Sequence, residues 1–353
     1  MKIAILGHGV VGSGTAEVFL KNKKSIEARV GHEVDLKYVL DIREADEFPG
    51  CAYTDRFVKD FDLILNDPEI TVVAELIGGT EPAYGFVKAL LLAGKSVVTS
   101  NKELVAKKGA ELLKIARENN AAFLFEASVG GGIPIIRPLY QCLSADSIHE
   151  IAGILNGTTN FILTKMFRDN MGFDEALKLA QENGYAERDP SDDVNGIDAL
   201  RKICILASII FGKRVNPDND LVLTDGITKL TREDITFCEK RGGTVKLIAR
   251  AVKNGNQVEV SVCPTFVSND SQLAGVNDVY NAILVRGEAT GDVIFYGKGA
   301  GKYPTASAVV NDIANALKKP NEISTLIWSE EEQVLIKPAV AEICGNIRIF
   351  DNL

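Results

Sequence analysis

The sequence lacks the features that mark membrane, secreted and nucleic-acid-binding proteins. No apolar run approaches the roughly 18 residues needed to cross a bilayer. The first apolar run reaches a glycine by position 7, so we expect no secretory signal. The six cysteines form no C-x-x-C pair and no zinc-like cluster, which favours a reducing compartment without disulfides. With 39 basic against 48 acidic residues, the net charge of −9 argues against nucleic acid as the main partner. We therefore expect a cytoplasmic protein with no membrane partner.

The 353 residues suffice for two compact domains, and the first opens with a glycine motif. A short apolar run at 2–6 leads into G-H-G-V-V-G-S-G and then a helical pattern through Leu20. This places G-x-G-x-x-G, at Gly7, Gly9 and Gly12, between a strand and a helix. In a dinucleotide-binding fold these glycines permit a tight turn, close approach to a pyrophosphate, and helix–strand packing, in that order. The alternative is a purely structural glycine turn.

Strands and helices alternate through the first 130 residues. We expect strands at 34–40, 72–77, 96–99 and 121–125, with helices at 82–92 and about 101–118. Such alternation predicts an α/β fold of the Rossmann type, a doubly wound parallel sheet with helices on both faces. Ligands of such sheets lie beyond the carboxyl ends of the strands. That rule collects four segments around one crevice: Gly7–Gly12, Asp41, Gly78–Thr80 and Ser100–Lys102.

The end of the second strand bears on the choice between NAD and NADP. Asp41 stands where an acid would bind the ribose 2′-hydroxyl of NAD, and its carboxylate would repel a 2′-phosphate. Arg43, two residues on, could offset this by gripping such a phosphate. NAD is therefore favoured modestly over NADP.

The second half is expected to be an α+β domain. Glycine-dense E-A-S-V-G-G-G-I-P-I-I at 126–136 either offers backbone groups to an ion or is only an interdomain crossover. A strand at 148–155 leads into N-G-T-T-N and a helix from Phe161. Paired strands are expected at 244–252 with 257–262, and at 282–288 with 292–296. The second glycine-rich loop, at 297–306, precedes a helix to about Leu317 and either closes over a nicotinamide or caps that helix.

The stretch E-R-D-P-S-D-D-V-N-G-I-D-A-L-R-K at 187–202 is the most informative part of the chain. If Asp192 and Asp193 open a helix, Asp198 and Lys202 share one face of it, a turn apart. The apolar run that follows indicates a helix entering the interior. A lysine and several acids at its mouth could bind a zwitterionic substrate and move a proton. The alternative is a charged helix N-terminus, where acids are favourable anyway.

Together these segments resemble the homoserine dehydrogenase family. The resemblance rests on seven motifs in the family's order, over roughly residues 1–318: G-H-G-V-V-G-S-G, E-L-I-G-G, T-S-N-K, E-A-S-V-G-G-G-I-P, L-N-G-T-T-N, D-P-S-D-D-V-N-G-I-D-A-L-R-K and G-A-G-x-x-P-T-A. It implies NAD(P)-dependent interconversion of L-homoserine and L-aspartate 4-semialdehyde, in threonine and methionine synthesis. It also implies a dinucleotide-binding domain at 1–130, completed by the helix at about 303–318. A catalytic and dimerisation domain would occupy 131–302, with a C-terminal tail at 319–353 and a homodimer as the assembly.

The resemblance also implies roles for individual residues. Lys202 matches the family's catalytic proton donor, and Lys102 matches a second lysine that contacts cofactor and substrate. The substrate-binding acids would be Glu187, Asp193 and Asp198. A monovalent-cation site, with sodium as the expected ion, would use Glu126, Val129, Gly131 and Ile133. The cofactor contacts would be Gly7, Gly9, Val10, Val11, Gly12, Asp41, Arg43, Gly79, Thr80, Ser100, Lys102 and Gly301.

The chain departs from many family members at two places. Many carry an arginine just before the aspartate that ends the second strand, whereas this chain has Leu40, which strengthens the preference for NAD. Many also continue into a regulatory ligand-binding domain, while this sequence ends at Leu353. The tail from Asn321 is therefore either a short-form terminus or the start of a truncated regulatory domain.

Three other functions compete with this one. A related dehydrogenase could act on another amino-acid aldehyde or hydroxy acid, and only a substrate screen separates it. A nucleotide-sensing regulator without turnover would lack the catalytic lysines, yet Lys102 and Lys202 are both present. An aldehyde dehydrogenase that forms a thioester would need a positioned cysteine, and Cys142 has no evident histidine partner in the sequence.

Overall fold

The computed structural model describes residues 1–318 and 328–351, which form two compact units. The first unit comprises Met1–Ile136 and Ala300–Glu330, and the second comprises Arg137–Gly299 and Glu331–Leu353. Part of the tail predicted at 319–353, namely 319–327 and 352–353, lies outside the described residues.

The elements are numbered in chain order. The strands are β1 Lys2–Leu6, β2 Asp35–Leu40, β3 Phe57–Val58, β4 Ile70–Glu75, β5 Ser96–Thr99, β6 Phe123–Leu124, β7 Ile148–Ile154, β8 Lys213–Arg214, β9 Leu223–Thr224, β10 Gly243–Asn254, β11 Gln257–Ser268, β12 Tyr280–Gly287, β13 Gly291–Lys298, β14 Ser329–Glu332, β15 Leu335–Ile336, β16 Glu342–Cys344 and β17 Ile347–Ile349. The helices are α1 Val10–Lys21, α2 Lys23–Val30, α3 Phe61–Leu65, α4 Ala83–Leu92, α5 Lys102–Glu118, α6 Gly157–Arg168, α7 Phe173–Glu182, α8 Ser191–Val194, α9 Ile197–Phe211, α10 Arg232–Lys240 and α11 Lys302–Lys318.

The first unit contains a six-stranded sheet in the order β3-β2-β1-β4-β5-β6, and every neighbouring pair is parallel. Its central strands β1 and β4 are mainly apolar, as is typical where helices cover both faces of a doubly wound sheet. The predicted Rossmann-type fold is therefore confirmed. Helix α11 lies in this unit, where its buried Val309, Ile313 and Leu317 share a core with Ile3 and Phe19.

The second unit contains a nine-stranded sheet. Its main path is β13-β12-β7-β10-β11-β17-β16, with β9 and β15 also paired to β11. The hairpin of β10 and β11 has twelve paired positions, from Gly243↔Ser268 to Asn254↔Gln257, and Gly255 in its tight turn has a positive φ of 60°. Both predicted hairpins are present, and the first is longer than expected.

Two local predictions were wrong. The helix expected from Phe161 begins at Gly157, because the Asn156 side chain caps it by accepting a hydrogen bond from Thr159 N. The single helix expected through 192–202 is two helices, α8 and α9, because Gly196 between them is left-handed with φ 82°. Asp193 is therefore on α8, whereas Asp198 and Lys202 are on α9.

Within residues 1–318 and 328–351, no helix combines the length and the apolar character that a membrane span requires.

Candidate active site

The glycine motif forms a tight strand-to-helix turn in the first unit. Gly7 has φ 92°, and a Cβ at Gly12 would lie 2.0 Å from the carbonyl oxygen of Gly7. Gly9 precedes α1, and a Cβ there would meet nothing within 4 Å. Val10 is exposed in the first turn of α1. Gly7 and Gly12 are thus required by packing, while Gly9 leaves open space beside unpaired helix N–H groups, as a bound pyrophosphate needs.

Asp41 and Arg43 form a closely bonded pair at the end of β2. The Asp41 carboxylate accepts from His8 N at 2.7 Å, and from Arg43 Nε and Nη2, both at 2.9 Å. Burial acts to raise the pKa of Asp41, but these hydrogen bonds and the charge of Arg43 hold it far below its usual range. The Arg43 guanidinium also lies over the Phe48 ring, 4.7 Å from its centre. The carboxylate and the guanidinium therefore act as one unit toward any ribose bound there.

The loops after β4 and β5 contain four of the predicted cofactor contacts. Gly79 is left-handed with φ 71°, and its carbonyl accepts from Asn101 Nδ2 at 2.6 Å. Asn101 also caps α5, since its Oδ1 accepts from Leu104 N at 3.1 Å. Lys102 is the first residue of α5. Thr80 Oγ1 donates to Glu103 Oε1 at 3.2 Å, and Ser100 lies between β5 and the helix cap. Gly79, Thr80, Ser100 and Lys102 thus occupy two loops joined by Asn101.

Gly301 lies immediately before α11 and has φ 123°, a backbone conformation that residues other than glycine rarely adopt. Its carbonyl accepts from Thr305 N at 3.1 Å, so it forms part of the helix start.

Lys202 lies in the second unit, on the first turns of α9, and is only 8% exposed. Its Nζ donates to Asp198 Oδ2 at 2.6 Å and to the carbonyl of Leu155 at 2.8 Å. The third ammonium hydrogen has no acceptor among the residues described. The predicted i,i+4 contact of Asp198 with Lys202 is present, and it fixes a buried ammonium with one proton still to give.

Asn156 links the two aspartates, and the sequence interpretation had missed it. Its Nδ2 donates to Asp193 Oδ1 at 2.7 Å and to Asp198 Oδ2 at 2.9 Å, while its Oδ1 accepts from Thr159 N at 2.8 Å. The only signal in the sequence was its place as the cap in L-N-G-T-T-N. Burial, and then the nearby charge of Asp198, raise the pKa of Asp193. The four side chains form one polar cluster, in which Asn156, Asp198 and Lys202 are buried and Asp193 is half-buried.

Glu187 does not join that cluster. Its side chain is exposed, and its carboxylate bonds to no other residue of the described chain. Two side chains donate hydrogen bonds to backbone carbonyls of this segment. Gln181 Nε2 donates to Glu187 O at 3.1 Å, and Thr158 Oγ1 donates to Tyr185 O at 2.7 Å. Glu187 is thus on an exposed turn tied to α6 and α7.

The glycine-dense segment after β6 presents backbone oxygens. Glu126 is buried, and its Oε1 accepts from Ile135 N at 2.7 Å and Ile136 N at 2.8 Å, which folds the segment back on itself. The carbonyl oxygens of Val129, Gly131 and Ile133 accept no hydrogen bond from the described residues. Buried carbonyls normally find a partner. A hard cation prefers such oxygens, so this donor set fits a monovalent ion.

Comparisons with known proteins identify the family of this chain. The family model described as "Homoserine dehydrogenase, NAD binding domain" matches residues 7–126, and the model described as "Homoserine dehydrogenase" matches 134–314. The chain belongs to the homoserine dehydrogenase family. It is 44% identical to the homoserine dehydrogenase of Bacillus subtilis, over 90% of this chain and 73% of that protein.

Solved structures of homoserine dehydrogenases share the fold. One from Thiobacillus denitrificans has a TM-score of 0.85 and 41% identity, covering 91% of this chain and 74% of that one. A hyperthermophilic archaeal homoserine dehydrogenase in complex with NADPH has a TM-score of 0.76 and 30% identity, covering 90% of this chain and 98% of that one. The protein is accordingly an NAD(P)-dependent oxidoreductase that interconverts L-homoserine and L-aspartate 4-semialdehyde.

Proposed function

We propose that Lys202 is the proton donor of this homoserine dehydrogenase. When bound, the reduced nicotinamide supplies a hydride to the aldehyde carbon. Charge then grows on the carbonyl oxygen, and a lysine ammonium stabilises that charge and gives up a proton to it. Lysine suits the role because its protons are transferable, whereas arginine holds its protons too firmly. The observation that carries the proposal is the buried Lys202 ammonium, with two hydrogens held by Asp198 and Leu155 and the third available.

The acids around Lys202 would hold the substrate. Asp198 keeps the lysine oriented, and Asp193 presents a second carboxylate to the α-ammonium of the amino acid, bridged to the first by Asn156. Glu187 would anchor the same ammonium from its exposed turn, which requires that turn to approach the substrate on binding. Lys102, in the first unit, would contact cofactor and substrate carboxylate. Such positioning supplies several kcal/mol toward the barrier.

The cofactor would bind at the glycine motif, with NAD modestly preferred over NADP. The pyrophosphate would lie over Gly9 at the start of α1, beside Val10 and Val11, and Gly79, Thr80, Ser100 and Gly301 would complete the contacts. Asp41 and Leu40 favour NAD, and the bond of Arg43 to Asp41 limits the preference by neutralising the carboxylate. Arg43→Ala should therefore raise the ratio of kcat/KM for NAD over that for NADP. An unchanged ratio would remove Arg43 from the choice of cofactor.

A sodium ion would lie on Glu126, Val129, Gly131 and Ile133, held mainly by backbone oxygens. Its role would be to order this segment, with no part in the chemistry. The family also leads us to propose a homodimer built through strands of the second unit, in the cytoplasm.

The decisive experiment replaces Lys202 and a matched surface lysine. Lys202→Met should lower kcat by at least about a hundredfold, since a positioned general acid contributes that much or more, and should leave cofactor affinity near normal. Lys165→Met is the control, because Lys165 makes the same i,i+4 contact with an aspartate, Asp169, on the exposed side of α6. Retention of more than a few percent of activity by Lys202→Met would exclude Lys202 as the donor. Assaying homoserine against other hydroxy amino acids tests the related-dehydrogenase alternative in the same series.

A further inference from the structure

Glu75, the last residue of β4, is a buried acid that none of the proposed roles uses. It is 0% exposed, at the carboxyl end of a central strand of the first unit's sheet. Its Oε1 accepts from Ile77 N at 2.8 Å and Gly78 N at 3.4 Å, and its Oε2 accepts from Thr99 Oγ1 at 2.6 Å. No lysine or arginine among the described residues pairs with it. Every group that contacts its oxygens is a neutral donor.

A buried carboxylate without a cationic partner is costly to the fold. Burial raises the pKa of Glu75, and the hydrogen bonds from Thr99, Ile77, Gly78 and Asn101 oppose that rise. A carboxylate has only acceptors, so it satisfies this set of converging donors better than an amide does. An arrangement that costs stability and is fully bonded is typical of a site held in one geometry for function.

The bonds of Glu75 continue through Thr99 into the next loop. Thr99 Oγ1 accepts from Asn101 N at 2.9 Å, and Asn101 Nδ2 donates to the carbonyl of Gly79 at 2.6 Å. The chain of bonds thus starts at Glu75, crosses to the loop after β5, and returns to the loop after β4. It closes a ring around the backbone that carries Gly79, Ser100 and Lys102.

We infer that Glu75 is a positioning residue for the nicotinamide cofactor, which fixes the loops after β4 and β5 in the arrangement that contacts the cofactor. The inference rests on the proposed cofactor contacts at Gly79, Thr80, Ser100 and Lys102. Glu75 itself is too deeply buried to touch the cofactor, and it acts through the two N–H groups and the Thr99 hydroxyl.

Two variants test it from opposite sides. In Glu75→Gln the Oε1 can still accept from Ile77 and Gly78, but the new amide nitrogen only donates, so the hydroxyl hydrogen of Thr99 loses its acceptor. Thr99→Val breaks the same link and leaves the carboxylate in place. Each should raise the Kd of the reduced cofactor about tenfold and lower kcat, since small misplacements of binding groups are costly. The double variant should lose no more than the worse single variant, because both cut one unit.

Thermal unfolding, followed by the single tryptophan, Trp328, separates this from a structural role. Glu75→Gln should not lower the unfolding midpoint, since it removes a buried charge, whereas a merely structural carboxylate would lose stability with unchanged cofactor affinity. Thr71→Val, in the same strand and with a hydroxyl that has no partner among the described residues, is the control expected to leave cofactor affinity unchanged without lowering the unfolding midpoint. Should Glu75→Gln fail to fold, Thr99→Val alone decides.

A Lys102 variant distinguishes a failure of the Glu75 inference from a failure of the proposed cofactor contacts. If Lys102→Met weakens cofactor binding but Glu75→Gln and Thr99→Val do not, the inference about Glu75 is wrong and the cofactor site stands. If Lys102→Met also leaves binding unchanged, the proposed contacts themselves are wrong.

Discussion

The position of Asp193 lowers the stability of the folded protein when its carboxyl group is ionised. It is half-buried beside Asp198, and desolvation and that neighbouring charge raise its pKa, so its ionised form is costly at neutral pH. Asn156 relieves part of the cost by donating to both carboxylates. The cluster therefore places two carboxyl groups beside one ammonium, and the second of them is available to a substrate ammonium.

Asp193→Asn should stabilise the protein at neutral pH and impair it as an enzyme. A group whose folded pKa is raised contributes stability below its unfolded pKa, about 3.9, and loses it as the pH rises through the folded pKa. The stability gain of Asp193→Asn over the parent should therefore be larger at neutral pH than at about pH 3.5. Loss of a charged contact should lower kcat/KM for homoserine about tenfold or more. Chemical denaturation at both pH values and steady-state assays measure the two effects, and a loss of stability at neutral pH would contradict the argument.

Lys246, on β10, should make the free energy of unfolding rise with pH, the opposite of the effect of Asp193. It is 1% exposed, and burial, followed by the charge of Arg168, lowers its pKa from 10.5 to about 8, with Asp278 opposing. Between about 8 and 10.5 the unfolded chain holds more protons, so stability should rise with pH across that window. A pKa shift of this size limits the rise in the free energy of unfolding to roughly 3 kcal/mol. The oxygens of Val276, Asn160 and Asn277 accept from the ammonium and stabilise its charged form in the folded protein. Lys246→Met should abolish the rise in denaturation curves, and an equal rise in that variant would assign it elsewhere.

The break between α8 and α9 is the element that brings Asp193 back toward Lys202. Gly196 supplies it with φ 82°, and a Cβ there would lie 3.1 Å from Val262 Cγ1. The chain offers a matched glycine at the other end of α9, Gly212, with φ 75° and nothing within 4 Å of its Cβ position. Both substitutions to alanine carry left-handed strain of about 1–2 kcal/mol.

Gly196→Ala should therefore lower both stability and kcat/KM, and Gly212→Ala should lower stability alone. The reason is that only Gly196 lies between Asp193 and Lys202 in the chain. Denaturation and kinetics of the two variants give the comparison. Equal activity losses would show that the strain, and not the position of the break, is responsible.

Elements with strong periodicity were predictable, and their ends were not. The parallel strands of the first unit and the hairpins of the second follow from apolar runs and turn residues. The start of α6 at Gly157 depended on the Asn156 cap, and the residues N-G-T-T-N read equally well as a loop. The split of α8 from α9 depended on one glycine inside a segment with acidic, helix-like spacing. In both cases a single backbone conformation decided the boundary, and local composition does not fix such a choice.

For the whole molecule, the family motifs in the sequence identify the reaction, but most hydrogen bonds within the site are visible only in the folded structure. The i,i+4 contact of Asp198 with Lys202 needs only helix geometry, so the sequence predicted it. The contact of Asn156 with Asp193 spans 37 positions and the link from Glu75 to Thr99 spans 24, so both require the fold. Glu187 carries a predicted role, and its exposed side chain meets no partner in the described chain. Long-range polar contacts are thus the part that spacing along one chain does not reveal.

The reaction as a whole should have different pH optima in its two directions. Reduction of the semialdehyde consumes a proton and needs Lys202 as an ammonium, whose Nζ donates to Asp198 Oδ2 at 2.6 Å. Oxidation of homoserine releases a proton and needs the same lysine as a neutral base. Each rise of one pH unit also makes the reaction free energy of oxidation more favourable by about 1.4 kcal/mol. Initial rates in both directions, in one buffer series from about pH 6 to about pH 10, should therefore place the oxidation optimum well on the alkaline side. Coincident optima would mean that a proton on Lys202 does not control the chemical step.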